Sequence, residues 1–348
     1  MMAPPPSPVR VGPAPPRPRG DISSAVVVVS RGDSGELPTS AEVVRADPYG
    51  DDLQLALYSL YELHYWGFEG VDPRREWDPR LLSLRATLED HFVDALRHDV
   101  ARAGRSVGRA LDDLLAEPTR DDGSSVTHFL QHHGELWQLR EYAAIRSLYH
   151  LKEADPHAWV VPRLRGRAKA GMVAVEFDEF GAGRAEDIHA TLFANLMADL
   201  GLDNTYGHYL DAAPAEALAT VNLMSLFGLH RLWRGALVGH FAAVEVTSSP
   251  ASRRLARAMR RTGAGPAAER FYDEHVEADA VHEQVVRREV IGGLLADEPG
   301  LEADAVFGID TTAELDRRLA ATLLEAWRHG RSALKTPLTA PPQSQAPE

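Results

Sequence analysis

The chain has 348 residues, 44% of them hydrophobic, and a formal net charge of −14. That is enough apolar material for a sizeable core, and its sign argues against nucleic acid as a partner. There is no cysteine, which excludes disulfides, zinc–thiolate sites, iron–sulfur clusters and thiol nucleophiles, so any metal must be held by His, Asp and Glu.

Ten of the 23 prolines fall in the first 50 residues, so residues 1–48 are expected to form an extended, largely disordered arm. No apolar stretch of signal-peptide type opens the sequence, and the run Val26–Val29 is too short to span a membrane. That run reads as a strand or part of the arm, and a cytoplasmic protein without membrane contact is expected. Residues 49–120 form an N-terminal helical region with candidate helices at Asp51–Trp66 and Pro79–Ala103. The second carries Leu81, Leu84, Leu88, Phe92 and Leu96 on one face. Further helices are expected at Ser124–Glu153, Pro162–Phe180, Arg184–Leu200, Pro214–Thr247, Ser252–Thr262, Pro266–Ala296 and Thr311–Ser332. Asp155–Pro156, Gly181–Gly183, Gly201 and Ser248–Pro250 serve as stops. Residues 121–334 thus read as an all-α domain, and residues 335–348 as a disordered tail. Long helices with acids and histidines on apolar faces suggest a bundle with a metal in its interior.

The strongest chemical signal lies between Phe271 and Glu283. His275, Asp279 and His282 are spaced i, i+4 and i+7, so on a helix advancing about 100° per residue they share one stripe roughly 60° wide. Two imidazoles and a carboxylate there suit a divalent transition metal. The alternative is a solvated polar face, to which Glu274, Glu277 and Glu283 belong in either case. A two-metal site needs carboxylates from other helices. Glu245 sits in an apolar, small-residue helix where a carboxylate is costly unless paired or metal-bound. His189 is either a satisfied core histidine or a ligand, Glu179 a helix-end acid or a ligand, and Glu153 a capping acid or a ligand. His230 and His240 fall on other faces than Glu245 and read as outer partners or surface, as do His132, His133 and His64. Arg231 and Arg234 are candidates to pair with buried carboxylates.

The segments Lys152–Trp159, Pro162–Lys169, Asp178–Gly183, His189–Phe193, His230–His240 and Glu274–Glu283 occur in order and together resemble the heme-oxygenase-like di-iron oxidases and oxygenases over roughly residues 125 to 330. The resemblance implies a heme-oxygenase-like helical bundle with iron ligands Glu153, Glu179, His189, His275, Asp279 and His282. Glu245 matches an additional carboxylate of the N-oxygenating members. It also implies two iron ions, dioxygen as cosubstrate, an external electron donor, a small amine or amino-acid-derived substrate in a biosynthetic pathway, and a homodimer through the N-terminal region. The activity expected is N-oxygenation of an amine or guanidine nitrogen. The alternative is oxidative cleavage or desaturation of a fatty or amino acid by the same ligands.

Overall fold

The computed structural model describes residues 12–100, 104–116 and 123–339. Among them every regular element is a helix: α1 Asp21–Ser30, α2 Ser40–Val43, α3 Asp51–Glu62, α4 Pro79–Asp99, α5 Val107–Leu115, α6 Val126–His132, α7 Leu136–His150, α8 Asp155–Ala158, α9 Gly166–Glu179, α10 His189–Asp199, α11 Ala215–Leu229, α12 Arg234–Thr262, α13 Pro266–Val285, α14 Gly292–Asp297 and α15 Glu302–Arg328. The all-α expectation holds. No helix among these residues is long and apolar enough to cross a membrane.

The valine run is helical. Val26, Val27 and Val29 are buried in α1. With no strand alongside to complete a ladder, a helix satisfies the backbone of this β-branched run internally, and tertiary burial overrides the local preference. The Asp52 carboxylate caps α1, accepting from the backbone N–H groups of Ile22 (3.0 Å) and Ser23 (2.7 Å). Arg19 donates to the carbonyl oxygens of Leu210 and Ala213, each at 2.8 Å. From residue 12 onward, the segment expected to be a disordered arm is therefore laid on the bundle. Residues 1–11 and most of the tail lie outside the described residues.

Several helix boundaries differ from the sequence expectation, α15 beginning at Glu302 rather than Thr311 among them, and three of the differences lie inside or at the stops of expected helices. Residues 124–153 split into α6 and α7 around Gly134. The apolar stretch 214–247 breaks at His230, whose backbone is extended (φ −107°, ψ 123°). Conversely, α12 runs straight through Pro250 to a left-handed Gly263 (φ 67°). An interior proline costs about 3 kcal/mol by removing one N–H and crowding the carbonyl four residues back. Burial on both sides of it offsets this: Leu237, Phe241 and Val246 before, Leu255, Ala258 and Met259 after.

The centre of the bundle is α12, which packs along α13 and α15. Its crossing with α15 is backbone-close: a Cβ at Gly239 would lie 1.9 Å from the Ala305 carbonyl oxygen, and one at Gly308 would lie 1.9 Å from that of Ala236. Only glycine permits this approach, and it fixes the height of the middle of α12 in the bundle. α10 packs on α13, and Asp199 at the end of α10 accepts from Ala267 N–H (2.6 Å) and Ala268 N–H (3.2 Å) in the first turn of α13. A carboxylate is well placed at those unpaired N–H groups. The N-terminal helices α3 and α4 share one apolar core with α9, α11 and α12 through Leu57, Leu88, Met172, Leu223 and Phe241.

Candidate metal centre

Four parts of the bundle converge on one interior point. Glu153 follows α7, at a corner where Ala154 takes a left-handed backbone (φ 73°), a strained conformation for a residue with a Cβ and one that clusters at functional sites. Glu179 is the last residue of α9 and His189 the first of α10, joined by a tight turn through Gly181 (φ 73°) and Ala182 (φ 50°). Glu245 lies midway along α12, and α13 supplies His275, Asp279 and His282. Downstream of His282 the helix widens into a π turn over Val286–Ile291, a form found mostly as isolated bulges, often at functional sites.

All seven residues are buried. One ligand atom each from Glu153, Glu179, His189 and His275 lie within 4.8 Å of one another, and Glu179, Asp279 and His282 form a second such group. Glu179 belongs to both. Its Oε2 is 2.7 Å from His189 Nδ1 and its Oε1 is 3.6 Å from His282 Nδ1, so its two oxygens turn toward different histidines. Glu245 Oε2 lies 3.3 Å from His282 Nδ1 and flanks the second group.

The remaining polar atoms of these side chains set which atom faces inward. His275 Nδ1 donates to the Phe271 carbonyl oxygen at 2.7 Å, which leaves Nε2 as the free lone pair. His282 Nε2 faces Asp178 Oδ2 at 3.3 Å, which leaves Nδ1. Such outer partners orient a metal-binding imidazole and raise its basicity. His150 Nδ1 donates to Glu153 Oε1 at 2.7 Å, which leaves Oε2. Correspondingly, Glu153 Oε2, His189 Nδ1, Glu245 Oε2, His275 Nε2, Asp279 Oδ2 and His282 Nδ1 are buried with no well-aligned hydrogen bond and face only one another and Glu179. Unpaired buried polar atoms are expensive, and six of them gathered into two adjoining clusters suit bound cations. Among the described residues no lysine or arginine pairs with these carboxylates. Four carboxylates balance two divalent ions, and a nitrogen–oxygen donor set of this kind fits iron or manganese. The residues therefore fit a two-metal centre.

Protonation follows the same crowding. Burial would lower His275 and His282, but Glu153 overrides it for the first and Asp279 with Glu245 for the second, pushing them up to about 10 and about 11. Burial and then the neighbouring Asp279 and Glu179 push Glu245 up to about 7, against the pull of His282. Without a cation the site holds protons instead, so metal binding must release them.

Glu176, His150 and His157 escaped the sequence reading, and His240, read there as an outer partner or surface residue, is buried beside His157. Both oxygens of Glu176 lack a partner, and burial followed by the charges of Glu179 and Glu245 holds its carboxyl well above the usual range. Its position three residues before Glu179, on the same face of α9, was a legible signal. His150, likewise three residues before Glu153, holds that ligand. The rings of His157 and His240 lie 5.2 Å apart at a tilt of 45°, and His240 Nδ1 pairs with Thr312 Oγ1 at 2.7 Å. Burial lowers His157 to about 4. Arg234 does not serve the site: it pairs with Glu298 on the far side of the bundle. His230 pairs with Glu89 at 3.0 Å, His64 with Glu76 at 3.0 Å, and His132 and His133 are exposed.

A void of about 20 Å³ lies among Glu153, Glu179, Glu245, His275 and Asp279. A larger cavity of about 460 Å³ shares Glu153 and His275 as wall, a size that suits a small-molecule ligand. The model of a family described as iron-containing redox enzyme matches residues 140–317, just over half of the chain and inclusive of all seven ligand candidates. No curated protein matches the chain.

Proposed function

The chain belongs to the iron-containing redox enzyme family, and from that premise we propose that it is a non-heme di-iron, dioxygen-dependent N-oxygenase acting on the amine or guanidine nitrogen of a small molecule. The observation that carries this reading is the pair of candidate ligand groups sharing Glu179, whose inward atoms have no partner outside the cluster itself. A ferrous pair held there supplies oxygen-activating chemistry, with electrons from an external donor.

The protein's own part is to hold and orient. The Phe271 carbonyl fixes the His275 ring and Asp178 fixes that of His282, so neither imidazole can turn its donor atom away. Glu179 spans the two groups. Glu176, whose carboxyl is held well above the usual range by burial and by the charges of Glu179 and Glu245, is the group at the edge of the cluster suited to hold a proton. The cavity of about 460 Å³ brings a substrate against the Glu153–His275 side, and burial of the opposite side excludes water from it. Glu245 supports N-oxygenation over carbon–carbon or carbon–hydrogen cleavage, because it adds a seventh ligand whose Oε2 is buried and unpartnered.

The test is anaerobic titration with ferrous iron, followed by oxygen and a reductant in the presence of amine or aliphatic-acid substrates. Binding of about two irons per chain is expected, with oxygen uptake and one oxygen atom added at nitrogen. Hydrogen or carbon dioxide loss from an aliphatic acid, with no nitrogen product, would replace the N-oxygenase reading with the oxidase one. Failure to bind iron would remove both.

A further inference from the structure

Away from the metal ligands, α3 carries Tyr58 and Glu62 four residues apart and therefore on one face, with Tyr65 and Trp66 just past its end. Glu62 and Lys152 form an ion pair at 3.0 Å whose side chains are 0% and 1% exposed. Such a pair is costly to bury unless further hydrogen bonds complete it. The Tyr206 hydroxyl supplies one, donating to Glu62 at 2.8 Å from each oxygen, and the Trp66 backbone N–H donates to the same carboxylate at 3.3 Å. The Lys152 ammonium is covered by the Tyr65 ring at 4.2 Å and the Tyr58 ring at 4.9 Å. Tyr58 lies beside both Tyr206 and Glu62. Outermost, the Trp66 ring packs on Tyr206 with centroids 5.7 Å apart and is 53% exposed. Both rings line a surface cavity of about 320 Å³. At the inner end, Lys152 is joined by one peptide link to Glu153, a ligand candidate.

A buried ion pair is often no more stabilising than apolar residues of the same volume, so the pair and the three phenols around it call for another reason. A phenol or an indole gives up an electron far more readily than an aliphatic side chain, and neither takes one up under biological conditions. A file of such rings therefore carries oxidising equivalents outward rather than reducing electrons inward. A phenol that loses an electron becomes a very strong acid, so it is oxidised easily only where a base already holds its proton. Tyr206 has such a base in the Glu62 carboxylate.

We propose that Tyr65, Tyr58, Tyr206 and Trp66 form an outlet for oxidising equivalents, used when the iron centre is oxidised with its substrate cavity empty. The inference rests on the oxygenase reading above for its oxidant and adds a protective function to it. In one passage an electron moves from Tyr206 through Tyr58 and Tyr65 to the oxidised iron centre, while the phenolic proton moves to Glu62. Trp66 then returns an electron to Tyr206 as that proton moves back, which leaves the one-electron-oxidised indole at the surface. A diffusible reductant of the ascorbate or thiol class refills it.

The absence of cysteine lets Glu69→Cys, on the wall of the same surface cavity, carry a ruthenium photosensitiser on the metal-free full chain. Laser flash oxidation followed by transient absorption should show a tryptophan radical that converts to a neutral tyrosyl radical, the Trp66–Tyr206 exchange read in reverse. Tyr206→Phe should lower the tyrosyl yield at least tenfold and leave the tryptophan radical long-lived, and Trp66→Leu should remove both. Deuterated water should slow tyrosyl formation, which reads the proton transfer to Glu62 without a variant that strands Lys152. An unchanged tyrosyl yield in Tyr206→Phe, or no deuterium effect, overturns the inference. In a second measurement, iron-loaded protein is exposed to oxygen without substrate. Peptide mass spectrometry should then find oxygen added at Trp66 in preference to Trp77, although Trp77 is more exposed at 67%, and Tyr206→Phe should abolish the preference. Equal oxidation of the two tryptophans marks attack by diffusing oxidants and overturns the outlet. Iron and oxygen uptake read in parallel separate the two layers. Uptake without radical transfer in the laser experiment removes only this inference, whereas radical transfer in a chain that takes up no iron removes the oxygenase reading and the outlet's use with it.

Discussion

Replacing Glu179 by glutamine exchanges one oxygen for an NH₂ group and should empty two metal positions. The carboxylate turns one oxygen toward His189 (2.7 Å) and the other toward His282 (3.6 Å), and it is the one residue common to both ligand groups. An amide offers one weak neutral donor oxygen and an NH₂ that repels a cation, so each ion loses a ligand. Loss of a supporting partner outside the ligand set already costs about 10- to 100-fold in metal affinity. Taking that as the least a direct ligand contributes, about 1.4 to 2.8 kcal/mol per ion, double loading falls by roughly 10²- to 10⁴-fold. Asp279→Asn touches only the second group, and His189→Gln only the first. Anaerobic equilibrium dialysis against ferrous iron reads the result directly. Wild-type protein is expected to hold about two irons per chain, Asp279→Asn and His189→Gln about one, and Glu179→Gln close to none at the same free iron. The metal-free Glu179→Gln protein should fold at least as well as wild type, because one of several crowded carboxylates loses its charge. If Glu179→Gln keeps two irons at wild-type affinity, the shared-carboxylate geometry is wrong.

Three other outcomes follow from the same geometry. His275→Ala and His282→Ala should abolish oxygen consumption while far-ultraviolet circular dichroism stays helical, since the apolar packing of α12 with α13 and α15 carries the fold; insoluble protein in both would mark these residues as structural. Glu245→Ala should still take up iron on the six remaining ligands but lose nitrogen-oxidised product, as followed by mass spectrometry; unchanged product would show that Glu245 is no functional ligand. His157 is buried and lowered from 6.5 to about 4. Below pH 6.5 the unfolded chain therefore takes up a proton that the folded chain refuses, and stability falls as pH drops from 6.5 toward 4. The loss is at most about 3 kcal/mol, and urea midpoints for wild type and His157→Asn between pH 7.5 and 5 should show a shallower slope in the variant.

Much of this protein is written locally in its chain. Helical periodicity gave the all-α class and most of the helices, because the spacing of Leu81, Leu84, Leu88, Phe92 and Leu96 needs no partner to be read. His275, Asp279 and His282 were legible for the same reason: three side chains able to bind a metal within two turns of one helix declare a common face. The family resemblance named Glu153, Glu179, His189 and Glu245, but no spacing could show that they meet, since they lie on four separate elements. Their convergence depends on the left-handed corner at Ala154, the Gly181–Ala182 turn and the glycine contacts that seat α12. Local rules failed where tertiary burial outweighed them, as in the helical valines of α1 and the uninterrupted helix at Pro250. His157 was unreadable as a site residue because its burial, not its sequence context, sets its charge, whereas Glu176 offered one local sign, its spacing from Glu179. Sequence thus determined which side chains could bind a metal, a matter of short-range periodicity and residue chemistry. Only the tertiary structure decided which of their atoms face one another, because that depends on how distant helices pack and on which nitrogen or oxygen each outer partner leaves free.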